Sequence, residues 1–277
     1  MRKIGALALS AFLIGISIRA PAQAPERPKN SLIDPFTTRE EVESFLRNAE
    51  IVKSRGTPVG ITNPERLTLD DGRIQHDAVF KSIDDRKLGI YRLEKSVEFD
   101  FKDSWKFEVA AYEIDKLLNL NMVPPTVERS YRGRKGSLQY WVDGCIDEKE
   151  RLDKKIQPPN PVLWNWQIFK VRVFDQLVYN IDRNLGNTLI TPDWRCVMID
   201  HSRTFKNIDD LKSPEELTAF SRSLMAALEK LAESSLTEKC GQYLTPPEIS
   251  TTLKRRDKIL EIYRRLAKEK GGSVLYP

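Results

Sequence analysis

The chain has 277 residues, of which 40% are hydrophobic and 31% are charged. This composition is typical of a globular protein with one large domain or one domain of two lobes, and it excludes collagen-like, repetitive and disordered chains. The three cysteines are too few for a disulfide scaffold, and their spacing matches no metal site.

The positive charge is spread unevenly along the chain. Residues 1–24 contribute +3 to the formal net charge of +5, so the body carries only +2. Nucleic-acid binding needs Lys and Arg clustered on one face. The best candidates, Lys254–Arg256 and the pair Arg264–Arg265, lie in a predicted amphipathic helix. A solvated helix face explains them better, so no nucleic-acid partner is expected.

The N-terminus has the layout of a secretory signal peptide. The basic start Met1–Lys3 precedes an uncharged, mostly apolar stretch over 4–18, and Ala22 and Ala24 are the small residues that a signal peptidase reads. The stretch is shorter than the ~20 residues that span a bilayer. We therefore expect cleavage near Ala24, no transmembrane span after signal removal, and an exported body, either periplasmic or secreted.

A proline directly after this cut disfavours cleavage, so a retained anchor is the alternative, and the body lies outside the cytoplasm in both cases. Residues 25–36 are Pro-rich and polar, and are predicted to be a linker.

Residues 37–143 are predicted to form a β-rich lobe with one main helix. Alternating apolar residues and Gly, Pro and Asn-Pro turn signals divide it into short strands. The predicted elements are a short helix with a capping box at Thr38 and Glu41, strands over 50–53, 65–69, 78–83 and 88–93, a helix over 105–118 capped by Ser104, and strands over 126–131 and 137–142.

Residues 144–277 are predicted to form a mainly helical lobe. Its predicted elements are a long helix over 161–179, short strands over 188–190 and 197–199, and helices over 214–233 and 247–268. Strands first and helices afterwards, with a crossing segment near 141–145, is the order of an α+β, two-lobed protein-kinase-like fold. A nucleotide would bind between the two lobes.

Phosphoryl transfer needs a cation on the phosphates, an anchor for that cation, a carboxylate near the attacking hydroxyl, and oxygen ligands for Mg²⁺ or Mn²⁺. Asp182 and Asn187 lie in a predicted loop that can present a carboxylate to a hydroxyl and an amide oxygen to a metal. This pair alone favours a polar turn. Asp200 ends an apolar strand 13 residues after Asn187, and a tight hairpin would bring it to the same metal. Together the three residues predict a catalytic and metal-binding site.

Lys81 ends an apolar strand and can point towards the phosphates of a nucleotide. Glu108 on the next helix is its natural partner, and Glu113 is the second candidate, because helical faces alone do not choose between them.

Between two predicted strands, residues 55–62 can arch over phosphates with their backbone N–H groups. This makes Gly56, Gly60 and Thr62 candidate nucleotide-binding residues, although an ordinary hairpin turn fits the same pattern.

Four segments carry a resemblance to a known family. Residues 108–118 and 123–127 are similar to the main helix and following strand of the secreted Golgi-casein-kinase-like family. Residues 182–187 and 199–205 resemble its catalytic and metal-binding segments, and also those of the HipA-like and phosphatidylinositol-kinase groups. The resemblance covers roughly 50–265.

The resemblance implies a role for each candidate. Asn187 matches the broader kinase pattern, whereas the Golgi family departs from it at this position. The implied roles are phosphate binding for Lys81, a place at the lysine and metal site for Glu108 rather than Glu113, acid/base catalysis for Asp182, and metal binding for Asp200.

The leading hypothesis is an exported, metal-dependent kinase that transfers the γ-phosphate of ATP to a hydroxyl, first of all on Ser or Thr of an exported protein. A sugar or lipid hydroxyl is the alternative acceptor, because the fold does not choose. A non-catalytic module that binds a nucleotide or a partner is the second hypothesis, since ATP is scarce outside a bacterial cytoplasm. A structural envelope protein is the third.

Overall fold

The computed structural model describes residues 32–56, 64–92 and 97–277. The predicted signal peptide, residues 1–24, and residues 25–31 of the predicted linker lie outside these ranges. Within the described ranges, no helix combines the length and the apolar character needed to cross a lipid bilayer.

The first lobe is built around one antiparallel sheet. In chain order it consists of α1 (Arg39–Asn48), β1 (Glu50–Gly56), β2 (Glu65–Asp70), β3 (Gln75–Lys81), β4 (Asp84–Arg92), β5 (Val97–Ser104), α2 (Trp105–Leu117), β6 (Thr126–Tyr131) and β7 (Arg134–Tyr140). Five of the strands form a sheet in the order β1-β2-β3-β7-β6, and β4 and β5 form a separate hairpin. The predicted β-rich lobe with one main helix is confirmed.

Alternation along the strands decides which face of the sheet is buried. Successive strand side chains point to opposite faces, and the apolar set faces α1. The buried residues of this core include Val42, Phe45 and Leu46 of α1 and, from the sheet, Leu67, Leu69, Ala78, Phe80 and Leu138. The capping box of α1 is present, since Glu41 N donates to Thr38 Oγ1 at 3.2 Å and Thr38 N donates to Glu41 Oε2 at 3.2 Å.

The end of the predicted linker belongs to this core. Residues 32–36 form turns, and Leu32 and Ile33 are 1% and 3% exposed. Because burial of apolar side chains stabilises the folded state, the apolar residues of this stretch pack against the sheet even though the polar residues around them favour a linker.

The β4–β5 hairpin contains a strand that the sequence pattern did not predict. Only the first strand was expected, at 88–93, and it falls within β4 as far as Arg92. Residues 97–102 of β5 alternate between apolar and charged residues, which is the period-2 pattern of a strand, and the prediction left this pattern out. Lys102 of β5 is buried, and its charge is paired with the fully buried Glu248 at 2.6 Å.

The second lobe is mainly helical, as predicted. It consists of β8 (Ile146–Asp147), α3 (Glu148–Asp153), α4 (Pro161–Val178), β9 (Thr188–Ile190), β10 (Cys196–Met198), β11 (Phe220–Ser221), α5 (Arg222–Lys230), α6 (Glu233–Cys240), α7 (Pro246–Lys270) and β12 (Leu275–Tyr276). Its core joins α4 to the apolar face of α2, so the main helix of the first lobe also packs against the second lobe.

The predicted helix over 214–233 is wrong in its first half. Residues 214–216 form a short 3-10 turn, and β11 then pairs in parallel with β12 at the end of the chain. The helix α5 begins only after Ser221, whose hydroxyl accepts from Leu224 N at 3.4 Å. A pairing partner more than 50 residues away in sequence overrides the local helical pattern here.

The basic run Lys254–Arg256 does not form a uniformly solvated face. Arg255 is fully buried and donates to the backbone carbonyls of Leu177 (2.8 Å), Lys206 (3.1 Å) and Ile208 (2.6 Å). Its role is to donate hydrogen bonds to carbonyl groups of which two, those of Leu177 and Lys206, are bonded in the buried interior.

We expect Arg255→Met to lower the free energy of unfolding by about 3 kcal/mol, because two buried carbonyls and one partly buried carbonyl lose their donor. Lys254→Met is the matched control, since the Lys254 side chain is 54% exposed, and it should leave stability unchanged. Urea denaturation measures both. Equal effects of the two substitutions would contradict the structural role assigned to Arg255.

Candidate functional site

Lys81 connects three parts of the fold: its own strand β3, the helix α2 and the segment that follows β10. It is the last residue of β3, and its Nζ lies 2.5 Å from Glu108 Oε1 on α2 and 2.9 Å from Asp200 Oδ1 in the second lobe. The Lys81 side chain is 17% exposed, and Glu108 is 1% exposed. The structure thus brings together three of the residues that the sequence singled out.

The charges of the two carboxylates control the protonation of Lys81. Burial by itself would lower the pKa of Lys81, but the negative charges of Glu108 and Asp200 outweigh it and raise the pKa well above its ordinary value. Burial by itself would raise the pKa of Asp200, but the positive charge of Lys81 outweighs this effect and holds the pKa below its usual range. Lys81 is therefore an ammonium and Asp200 a carboxylate at neutral pH.

The helix α2 fixes the position of Glu108. Ser104 caps this helix by accepting from Lys106 N at 3.3 Å, which places Glu108 in the first turn. Its second oxygen, Oε2, accepts from the backbone N–H of His201 at 3.0 Å. Glu113, the other candidate, pairs with Lys116 at 2.9 Å instead.

The loop that carries Asp182 is held by Arg183. The Arg183 guanidinium binds the Asp175 carboxylate at 3.0 Å and donates to the carbonyls of Asn187 (2.6 Å) and Ile199 (2.9 Å). One buried cation therefore ties the loop to α4 and to the end of the β9–β10 hairpin. The role of Arg183 is therefore to hold the loop in shape.

The backbone of Asp182 is fixed while its carboxylate is free. Asp182 N donates to Asn180 Oδ1 at 2.9 Å, and its carbonyl accepts from Asn184 N and from the Asn187 amide. Within the described ranges, its carboxylate has no hydrogen-bond or ion-pair partner. A carboxylate held in this way can accept a proton from a hydroxyl group.

Asn187 directly precedes β9, and Asp200 lies two residues after β10, the strand that pairs with β9. Ile199 N donates to the Asn187 carbonyl at 3.2 Å, which brings Asp200 next to Asn187. The Asn187 amide nitrogen is used by the Asp182 carbonyl, so its oxygen Oδ1 remains as an acceptor. Among the described residues there is no group of three or more His, Cys, Asp or Glu side chains spaced for a metal ion.

One carboxylate and one amide oxygen fit Mg²⁺ or Mn²⁺. These ions prefer oxygen ligands, and Mg²⁺ is commonly held by one or two carboxylates together with substrate phosphates and water. Asp200 and Asn187 would be the protein ligands in such a site.

His201 has a packing role. Its ring is fully buried, lies edge-on to Phe174 and is 2.9 Å from an Arg183 nitrogen. Burial lowers the pKa of His201 well below its ordinary value, so the ring is neutral. It supports the segment after Asp200.

The sequence did not lead to two acids of the site, Asp175 and Asp103. Asp175 binds Arg183. The one sign of it in the sequence is that an acidic residue stands beside the apolar stripe of the long helix α4. Asp103 lies beside Ser202 and Asp200, where burial raises its pKa. It belongs to β5, a strand that was not predicted although residues 97–102 alternate between apolar and charged residues.

The predicted phosphate loop is only partly described. Gly56 ends β1 opposite Glu65, and a side chain there would meet no atom within 4 Å among the described residues. Gly60 and Thr62 lie outside those residues. Their binding of phosphate stays a prediction.

No family model and no curated protein matches the sequence. Solved structures match it in fold. Hydra Fam20 with sugar superposes with a TM-score of 0.64 at 15% identity, covering 86% of this chain and 91% of that one. The Golgi casein kinase with Mn/ADP bound gives 0.62 at 14%, covering 86% and 78%.

A proinflammatory kinase of Helicobacter pylori, CtkA, gives a TM-score of 0.52 at 12% identity, covering 81% of this chain and 98% of that one. The protein has a kinase-like fold. The resemblance to the Golgi-casein-kinase-like proteins, which the sequence suggested through short motifs, is thereby confirmed at the level of the fold.

The burial of the Lys81–Glu108 ion pair leads to a prediction for stability. Lys81→Met should lower the free energy of unfolding by about 3 kcal/mol, because it leaves the buried Glu108 carboxylate without its cation. Adding Glu108→Gln should recover at least ~1 kcal/mol, so the two effects are not additive. A double-mutant cycle by urea denaturation measures this coupling.

The control cycle is the exposed pair of Lys149 and Asp153, at 2.6 Å, whose side chains are 69% and 62% exposed. Exposed pairs contribute little, so no coupling should be measurable there. Equal coupling in the two cycles would show that burial of Glu108 does not matter.

Proposed function

We propose that the protein is an exported, metal-dependent kinase that transfers the γ-phosphate of ATP to a hydroxyl group, first of all on Ser or Thr of an exported protein. The observation that carries the proposal is the ion-paired Lys81 between Glu108 and Asp200, next to the loop that holds the free Asp182 carboxylate. A kinase-like fold supports it.

Lys81 is suited to binding phosphate. An ammonium group has three N–H donors, and Glu108 and Asp200 use two of them. The third donor can bind a phosphate oxygen without breaking either ion pair. The role of Glu108 is to hold the ammonium in place.

Asp200 and Asn187 would hold Mg²⁺ or Mn²⁺, which would neutralise charge on the phosphates. The neighbour that has Mn and ADP bound supports this assignment. Asp182 would accept the proton of the attacking hydroxyl, because its carboxylate is free and its backbone is fixed. The apolar N-terminal stretch, with its basic start, supports export.

The activity test uses purified protein, ATP and Mg²⁺ or Mn²⁺, with an exported-protein extract, sugars and lipid headgroups as separate acceptors. Asp182→Asn and Asp200→Asn should each reduce phosphate transfer about a hundredfold or more, as expected for loss of an acid/base or metal-binding group. Mass spectrometry of the products identifies the acceptor.

Asp210→Asn is the matched control, because it makes the same chemical change on a side chain that is 84% exposed. It should leave the rate unchanged. Turnover that persists in both site variants would exclude this assignment.

A non-catalytic nucleotide-binding module is the second candidate. It is favoured by the predicted export, because ATP is scarce outside a bacterial cytoplasm. Thermal unfolding separates the candidates. A kinase should be stabilised by ATP in the presence of Mn²⁺, and EDTA should remove most of this stabilisation along with the phosphate transfer. Stabilisation by ATP that survives EDTA, without transfer, would favour the module.

A further inference from the structure

A cavity of the second lobe lies at the end of α2 that is farther from the candidate site. It encloses about 310 Å³, which is within the roughly 300–1,000 Å³ of small-molecule sites. Its walls come from the end of α2 and from α4, α5 and α6. Glu108 lies in the first turn of α2 and Leu117 is its last residue, so roughly 14 Å of helix separates the candidate site from this cavity.

The walls of the cavity are rich in leucine. Leu118, Leu224 and Leu231 are buried residues of the second-lobe core, and Leu117 and Leu120 pack against that core. Since these side chains are already held by the core, the cavity is present before any ligand enters. An apolar chain inside it would lose contact with water, and this loss favours binding.

Two lysines line the same cavity. Lys170 of α4 is half-buried, and Lys230, the last residue of α5, is exposed at the rim. Among the described residues that line the cavity there is no Asp or Glu. Neither lysine has a hydrogen-bond or ion-pair partner within the described part of the chain. The cavity therefore combines apolar walls with two positive charges that no residue of its lining balances.

The surroundings of Lys170 lack a counterion. Burial lowers the pKa of Lys170 from its ordinary value, and no carboxylate of the described residues offsets this effect. Lys81 is the opposite case, because its two carboxylates outweigh burial. A half-buried ammonium group without an anion is unfavourable for folding. An anion bound beside Lys170 would supply the missing charge.

We propose that this cavity binds a small amphiphilic carboxylate with a linear hydrocarbon tail. The carboxylate pairs with Lys170, and the tail packs against the leucines. Lys230 at the rim adds a second positive charge that attracts the anion. Leucines alone would accept any apolar molecule and lysines alone any anion, so their combination selects a ligand with both parts. The cavity shares no residue with the candidate site, so this binding does not depend on the proposed kinase activity.

The first test is calorimetric titration of the protein with linear carboxylates from hexanoate to decanoate. The affinity should rise about threefold for each added methylene group, because each removes more apolar surface from water. Octyltrimethylammonium has a tail of the same length and the opposite charge. It should bind at least about tenfold more weakly than octanoate, because it cannot pair with Lys170.

The second test uses variants of Lys170. Lys170→Met should weaken octanoate binding about tenfold, because the carboxylate loses its charged donor. The affinity for 1-octanol, which has the tail without the charge, should change less than about twofold. Lys170→Arg keeps the charge and should retain octanoate binding. Lys135→Met is the matched control, since it makes the same change in the first lobe on a side chain that is 72% exposed, and both affinities should stay unchanged.

Several results would overturn the inference. A parent protein that does not bind octanoate has no such site, and an affinity independent of chain length would show that the tail does not reach the leucines. Equal binding of octanoate and octyltrimethylammonium, or octanoate binding unchanged by Lys170→Met, would show that Lys170 does not recognise the carboxylate. Equal losses of octanoate and octanol binding in Lys170→Met would show that the lysine holds the cavity in shape and does not pair with a ligand.

Discussion

The ion pair between the buried Glu108 carboxylate and Lys81 is the interaction on which the arrangement of the site depends. Isolated burial of an ionised carboxylate is strongly unfavourable, and Glu108 is 1% exposed. The structure therefore has to keep the end of β3 against α2. Since Lys81 also binds Asp200, the same constraint ties the hairpin of the second lobe to the first lobe. The candidate site lies where the two lobes are joined by charge.

Buried cations hold the second lobe in the same manner. Arg183 binds the carbonyls directly before β9 and directly after β10. Lys102 of β5 donates to the Phe205 carbonyl at 3.3 Å, and Arg255 binds the carbonyls of Lys206 and Ile208. The Ser202 carbonyl accepts from Ser104 N at 3.0 Å. The segment after Asp200 has little regular structure, so its buried carbonyls depend on donors from other elements. This dependence fixes the backbone that presents Asp200.

The sequence predicted those elements whose pattern and packing agree. The helices α1, α2, α4 and α7 have clear caps and apolar stripes, and each was expected close to its observed bounds. The prediction left out β5, although residues 97–102 alternate between apolar and charged residues as a half-buried strand does. It also missed β11, whose partner strand lies more than 50 residues later in the sequence. Local patterns contain no information on such partners.

Local sequence patterns also predicted only part of the site. Lys81, Glu108, Asp182 and Asp200 could be singled out because motif spacing and family resemblance mark them. The Asp175–Arg183 and Asp77–Arg66–Trp141 contacts could not be predicted, because they depend on strand register and on the packing of side chains from distant parts of the chain.

Some acidic side chains of the site are paired with cations and others are not, and this difference limits which of them are available to bind a ligand. Asp175, Glu108 and Asp77 each accept from a buried or half-buried cation, so their charges serve the structure. Within the described ranges, the Asp182 carboxylate and Asn187 Oδ1 have no such partner although their backbones are held. Keeping a partly buried carboxylate unpaired is unfavourable for folding, and the proposed function gives this arrangement a reason. Under that proposal a hydroxyl would bind at Asp182 and a hard cation at Asn187, because these are the ligands that a free carboxylate and an amide oxygen accept.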